Sequence, residues 1–139
     1  MISFKDLEKE ILKLKGEVKS IQNILRQMTT SKERIKVIKY KLDTSTGTTN
    51  ISTISTGEIL EEITVKIETA FDGSAPTLRI YDGSEDLILT WETNLKETFL
   101  YAKKINKLYA AGNIFTLVLN QSNSTAGLGY VYLTIVNPK

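Results

Sequence analysis

The sequence predicts a mainly β protein in which an N-terminal coiled-coil helix precedes an antiparallel β-sandwich of about eight strands. Three observations carry this. From Phe4 to Met28 the large apolar residues recur every three or four positions, the period of a helix with one apolar seam. From Lys32 onward the period becomes two, in short runs separated by Asp-Gly turns and by Ser/Thr/Asn-rich stretches. No helical pattern and no long parallel crossover follows, which argues against an α/β sheet. The expected division is residues 1–30 for the helix and 31–139 for the sandwich.

In the helix, Phe4, Ile11, Val18 and Leu25 take position a of four heptads, and Leu7, Leu14, Ile21 and Met28 take position d. A stripe this narrow has to be buried against something, either partner copies of the chain or a long contact with a neighbouring protein. Glu10 at g and Lys15 at the following e can meet between parallel helices. Ser3 before Asp6 is a start signal, and Thr29-Thr30-Ser31 closes the pattern. At about 1.5 Å per residue the stalk is roughly 35 to 40 Å long. Ile11 and Val18 at a with Leu7 and Leu14 at d favour two strands, whereas Leu25 at a with Ile21 at d favours three or four. Ile24 at g widens the stripe, which suits more than two helices.

The strands follow in order. Ile35 and Val37 alternate in one phase and Ile38, Tyr40 and Leu42 in the other, which predicts a strand with a bulge near Val37. Residues 43–57 are nearly all Ser, Thr, Gly and Asn and read as a long loop with room for a Thr-rich edge strand. Ile59 to Phe71 predicts a strand with Ile59, Ile63, Val65, Ile67 and Phe71 on one side and Leu60, Glu62, Thr64, Lys66 and Glu68 on the other. Thr77 to Tyr81 lies between the Asp72-Gly73 and Asp82-Gly83 turns, and Leu87 to Trp91 continues the pattern after the second. Thr98 to Lys103 and Ile105 to Ala110 read as two strands with a turn near Lys103-Lys104.

The last two strands, Ile114 to Leu119 and Tyr130 to Val136, are apolar or aromatic on both faces, and no charged residue occurs between Tyr109 and Pro138. One face fits the core through Phe115, Leu117, Leu119, Val131, Leu133 and Ile135. The other, with Ile114, Val118, Tyr130 and Tyr132, is expected to be covered by another subunit or a ligand. The predicted oligomerisation residues are therefore the eight heptad positions together with Ile114, Val118, Tyr130 and Tyr132.

Composition narrows the chemistry. The 139 residues contain neither cysteine nor histidine, which removes disulfides, thiolate and imidazole metal sites, and Ser/His or Cys/His catalysis. A net charge of +2 gives no reason to invoke nucleic acid. The interleaved charges of the first ten residues are unlike a signal peptide or a membrane span, so synthesis in the cytoplasm is expected. The triplets starting at Asn50, Asn120 and Asn123 read as chance matches to a glycosylation signal.

Asp72, Asp82, Glu85 and Asp86 are the densest acidic group. They do not have EF-hand spacing, and Asp-Gly is the ordinary hairpin solution, so neither a cation site nor a glycosidase pair is expected from them. Lys32, Arg34, Lys36, Lys39 and Lys41 read as guards of an edge strand. Trp91, Tyr101 and Tyr109 read as core aromatics before a sugar-stacking platform. No enzyme activity, metal or cofactor is expected.

Two stretches carry a family resemblance. Ala70-Phe71-Asp72-Gly73-Ser74-Ala75-Pro76-Thr77-Leu78-Arg79-Ile80-Tyr81-Asp82-Gly83, and Ser124 to Val136, resemble small jelly-roll proteins of tailed bacteriophages that form trimers on the virion surface as head fibres, capsid decoration proteins or tail-fibre tips. The resemblance spans roughly residues 33–137 and implies a homotrimer with a coiled-coil stalk and a jelly-roll head. It implies a virion-surface location, other capsid or tail proteins as partners, and, for a fibre tip, a host-surface glycan as ligand. The chain lacks the separate attachment domain that long tail fibres carry before the helix, which leaves the helix or the base of the head to dock on the particle.

Overall fold

A computed structural model describes residues 4–138, and within the helix the side chains of residues 5–19, 21 and 22. The chain divides into two compact units, Met1–Arg34 and Ile35–Lys139. The first holds helix α1, Phe4–Glu33, which continues through Thr29-Thr30-Ser31. A terminal hydroxyl cluster therefore ends the apolar seam without ending the helix.

The second unit holds eight strands: β1 Ile35–Asp43, β2 Thr48–Ile54, β3 Ile59–Thr69, β4 Thr77–Tyr81, β5 Asp86–Ile88, β6 Phe99–Leu108, β7 Asn113–Asn120 and β8 Leu128–Val136. They form two four-stranded antiparallel sheets, in the orders β1-β8-β3-β6 and β2-β7-β4-β5. Alternation puts one side chain in two between the sheets. Phe71, Phe115, Leu42, Leu60, Ile63, Val65, Leu78, Ile80, Leu117, Val131 and Ile135 are fully buried there.

Four local expectations are corrected. β1 pairs with β8 without a break in register, so there is no bulge near Val37. Ile35 and Val37 instead face outward, 47% and 57% exposed, while Ile38, Tyr40 and Leu42 face in. The bulge is in β3, where the register with both neighbours shifts between Leu60 and Glu62. The extra residue, Glu61, reverses the phase, so Leu60 is buried on the same side as Ile63 and Ile59 turns outward. Residues 99–108 make one strand, and the break near Lys103-Lys104 is an irregularity at Asn106, whose φ is 50°. β5 ends at Ile88, and Trp91 lies beyond it, 78% exposed.

The loops at one end interlock. Asp72, in the β3–β4 loop, accepts bonds from the Thr125 amide at 2.7 Å, the Thr125 hydroxyl at 2.7 Å and the Ala126 amide at 3.1 Å, all in the β7–β8 loop. Ser124 Oγ accepts from the Gly73 amide and Ser122 Oγ from the Ala75 amide. A Cβ on Gly73 would run into the backbone carbonyls of Gln121 and Ser122, and one on Gly127 into the Phe71 ring. The two stretches that carry the family resemblance thus meet in space, and Gly73 and Gly127 leave room for that close approach, whereas Gly83, at a φ of 94° with nothing around its Cβ position, serves its turn.

Candidate functional site

The described a and d side chains of α1 form a continuous apolar line. Leu7, Ile11, Leu14, Val18 and Ile21 are 45–57% exposed. Phe4, Leu25 and Met28 also belong to the predicted seam, but their side chains lie outside the described ones. Leu12, 67% exposed, stands off the line, next to Ile11 on the polar side.

The sandwich separates residues that the sequence grouped. Ile114 and Val118 lie on the outer face of the second sheet, and Tyr130 and Tyr132 on the outer face of the first. The four do not form one surface, because β7 and β8 belong to different sheets. Nor is the tyrosine face without charge. Lys39 sits opposite Tyr132 in the register, with its ammonium 4.3 Å from the centre of the Tyr130 ring, a cation–π distance. Lys41 and Lys66 flank Tyr130 on the neighbouring strands. Neighbouring strands supply the charges that β8 lacks. Val118 likewise lies opposite Arg79, whose guanidinium is 4.3 Å from the Tyr81 ring and donates to Asp86 at 2.8 Å.

The predicted basic line along β1 is also divided. Lys36 shares the inward phase of Ile38 and Tyr40 at the sheet edge, whereas Lys39 and Lys41 point outward.

Each carboxylate of the acidic group has structural partners. Asp82, 1% exposed, accepts at Oδ1 from the Ser84 amide, the Ser84 hydroxyl and the Glu85 amide, each at 2.9 Å. Its Oδ2 accepts from Lys107 Nζ at 2.6 Å and from the Tyr109 hydroxyl at 2.8 Å. Burial pushes this carboxyl's pKa up, but the Lys107 bond, the two amides and the Tyr109 hydroxyl together hold it well below the usual carboxylate range. Burial and the Asp82 bond raise the Tyr109 hydroxyl in turn. Glu85 shares the Lys107 ammonium at 2.7 Å. Asp72 is held low by the Thr125 hydroxyl and the amides of the interlocked loops.

A second tie of the same construction escaped the sequence reading. Glu92, in the β5–β6 connection, accepts from Lys103 Nζ at 2.8 Å, the Leu89 amide at 3.1 Å and the Tyr101 hydroxyl at 2.9 Å. Burial raises its pKa and these donors lower it further than burial raises it. Lys103 also donates to the Leu87 carbonyl of β5. On β6 and the residue after it, then, Tyr101 and Lys103 grip one carboxylate and Lys107 and Tyr109 another, each time joining the two sheets. The signal was present as Tyr-x-Lys and Lys-x-Tyr on one phase of β6 and its last step, hidden by reading that strand as two.

This arrangement also breaks up the three aromatics. Tyr101 and Tyr109 turn inward with their hydroxyls bonded to Glu92 and Asp82, while Trp91 points to solvent, so no stacking platform forms. Among the described residues no group of three or more acidic side chains is placed to hold a metal ion, and no helix is long and apolar enough to cross a membrane.

No protein family and no curated protein matches the sequence. Solved structures do match the fold. A chain in the acid-stable capsid of the Helicobacter pylori bacteriophage KHP30 superposes with a TM-score of 0.55 at 10% identity, covering 76% of this chain and 89% of that one. A chain of the cyanophage Pam1 capsid asymmetric unit gives a TM-score of 0.50 at 13% identity, covering 75% and 85%. At such identities the likeness is one of fold. It extends over nearly the whole of both phage chains and a share of this chain comparable to its sandwich.

Proposed function

We propose that this protein is a non-enzymatic structural component of a bacteriophage particle, a homotrimer in which α1 forms a coiled-coil stalk or foot and the sandwich is a jelly-roll head displayed on the virion surface. The observation that carries the reading is the exposed apolar line of α1, Leu7 to Ile21, on a chain whose candidate acidic residues, Asp72, Asp82, Glu85 and Asp86, are taken up by structural bonds. Five aligned aliphatic side chains are not kept in water without a partner. The strand orders β1-β8-β3-β6 and β2-β7-β4-β5 support a jelly-roll reading, since a jelly roll is built from eight antiparallel strands in two packed sheets. The likeness to two phage capsid chains supports the particle context, as do the loop stretches whose resemblance to phage surface proteins is mirrored by their contact in space.

The role within the particle is capsid decoration or head fibre. The direct test is to add the full-length protein to empty, tail-less capsids of the cognate phage. Saturable binding that raises the capsids' resistance to heat supports decoration. Binding to host cells or their surface glycans with no capsid binding would replace this reading with a receptor-binding fibre tip.

A further inference from the structure

The outer face of the first sheet has a transverse apolar row. In the register, Ile35 of β1 lies opposite Val136 of β8, Val136 opposite Ile59 of β3, and Ile59 opposite Leu108 of β6. All four therefore stand side by side across the full width of the sheet and on its outer face. Ile35 and Leu108, at the two edges, are 47% and 62% exposed. Val37, one step along, adds a fifth aliphatic side chain at 57%. The other end of the same face carries Lys39, Lys41 and Lys66.

We infer that this row is the seat on which the heads of neighbouring copies of this chain meet in the assembled oligomer. The inference rests on the helix-mediated assembly proposed above and names the surface that continues it. Only Arg34 separates Glu33, the last residue of α1, from Ile35, the first of β1 and an edge of the row, so the row begins at the residue through which the head is tethered to the helix. When helices gather copies, each copy's Ile35 is held within a residue's reach of a helix end. Four or five aliphatic side chains cannot supply the roughly 800 Å² per partner of a standard interface. The row therefore acts only between tethered copies, where the tether raises the effective concentration of one head for the next. The lysines at the other end oppose close approach there, because burying an ammonium is costly, so the contact is confined to the apolar end. A closed ring of three uses a heterologous contact, which the two edges of the row, β1 and β6, are placed to make.

The test uses the absence of cysteine. In the full-length protein, Ile35→Cys is combined with Leu108→Cys. Within one chain these positions are three strand spacings apart, about 14 Å, beyond the about 7 Å Cα limit for a disulfide, so any disulfide joins copies. The control pairs Ile35→Cys with Leu100→Cys, on the same outward phase of β6 and 70% exposed but at the lysine end. The expected result is a ladder of covalent dimers and trimers for the first pair, formed at least ten times faster than for the second. Equal rates for the two pairs overturn the seat. So does protection of the thiol introduced by Leu108→Cys from a thiol reagent without any cross-link, which would mean that α1 lies on the row. Light scattering on the unmodified chain separates the two levels. A single-chain mass defeats the assembly reading itself, and the mass of three chains with no preference for the first pair defeats only the seat.

Discussion

The ammonium of Lys107 lies 2.6 Å from Oδ2 of the buried Asp82, and this pair ties the turn after β4, in one sheet, to β6, in the other. Removing one partner of a buried pair leaves the other charge poorly solvated, which is why such changes cost far more than surface ion pairs do. Asp82→Asn keeps the shape but presents an amide where two donors point. It should lower the unfolding free energy by about 3 kcal/mol, measured by urea denaturation at neutral pH. Glu85 remains as a second partner for Lys107 and keeps the loss from being larger.

The same groups set the acid response. Asp82 and Glu92 have folded pKa values below those of unfolded carboxylates, near about 4, so their contribution is complete above that pH and is lost as the pH falls through and below it. The melting temperature should be level from pH 7 to about 5 and fall steeply below about 4. In Asp82→Asn the starting value is lower and the acid slope shallower. An unchanged slope would show that the Asp82 tie carries no linkage.

At the alkaline end the sign reverses. Tyr101 is raised by its bond to Glu92 and by burial, and Tyr109 by burial and its bond to Asp82. Their contribution holds below the unfolded tyrosine pKa of about 10 and fades above it. A spectrophotometric titration of the six tyrosines should therefore have a late component that coincides with unfolding. The Tyr101→Phe, Tyr109→Phe double variant should lose it.

These ties also show where the sequence was legible. The helix and the alternation of β4 follow from period alone, because one wet side and one dry side leave a mark on every second residue, and in β7 and β8, apolar on both sides, the set Phe115, Leu117, Leu119, Val131, Leu133 and Ile135 still shares one phase that the structure buries. Phase changes do not. Ile35, Val37 and Ile38 looked like a bulge because outward aliphatic residues mimic a slip, while the real bulge at Glu61 looked regular because Ile59 and Leu60 are both apolar. Ile114 and Tyr130 looked like neighbours because adjacent strands in sequence often pair, whereas here β7 and β8 lie in different sheets. The partners of Asp82 and Glu92 are set by sheet stacking, which no local pattern encodes.

Gly127 and Gly47 differ both in the space around them and in backbone, Gly127 having a φ of 158° that side chains rarely adopt. A methyl group on Gly127 would overlap the buried Phe71 ring, while one on Gly47 meets nothing within 4 Å. Overpacking a dense core typically costs about 1 to 3 kcal/mol. Gly127→Ala should fall in that range and loosen the interlocked loops, seen as faster amide exchange at Thr125 and Ala126. Gly47→Ala should melt with the wild type.

The last prediction concerns the helix. Ile11 and Val18 occupy a positions on the exposed line, and Leu12, more exposed than either, stands off it. If hydrophobic exposure alone drove association, Leu12→Asp would weaken it as much as a seam change. In a coiled coil only a and d side chains enter the holes of facing helices, and an aspartate there must be desolvated among apolar neighbours. The Ile11→Asp, Val18→Asp double variant should therefore fall to single-chain mass by light scattering and lose any capsid binding, with its sandwich still giving a cooperative melt. Leu12→Asp should keep the wild-type mass. Equal effects from the two variants would mean that α1 associates by unspecific apolar contact, and the heptad register would lose its role in assembly.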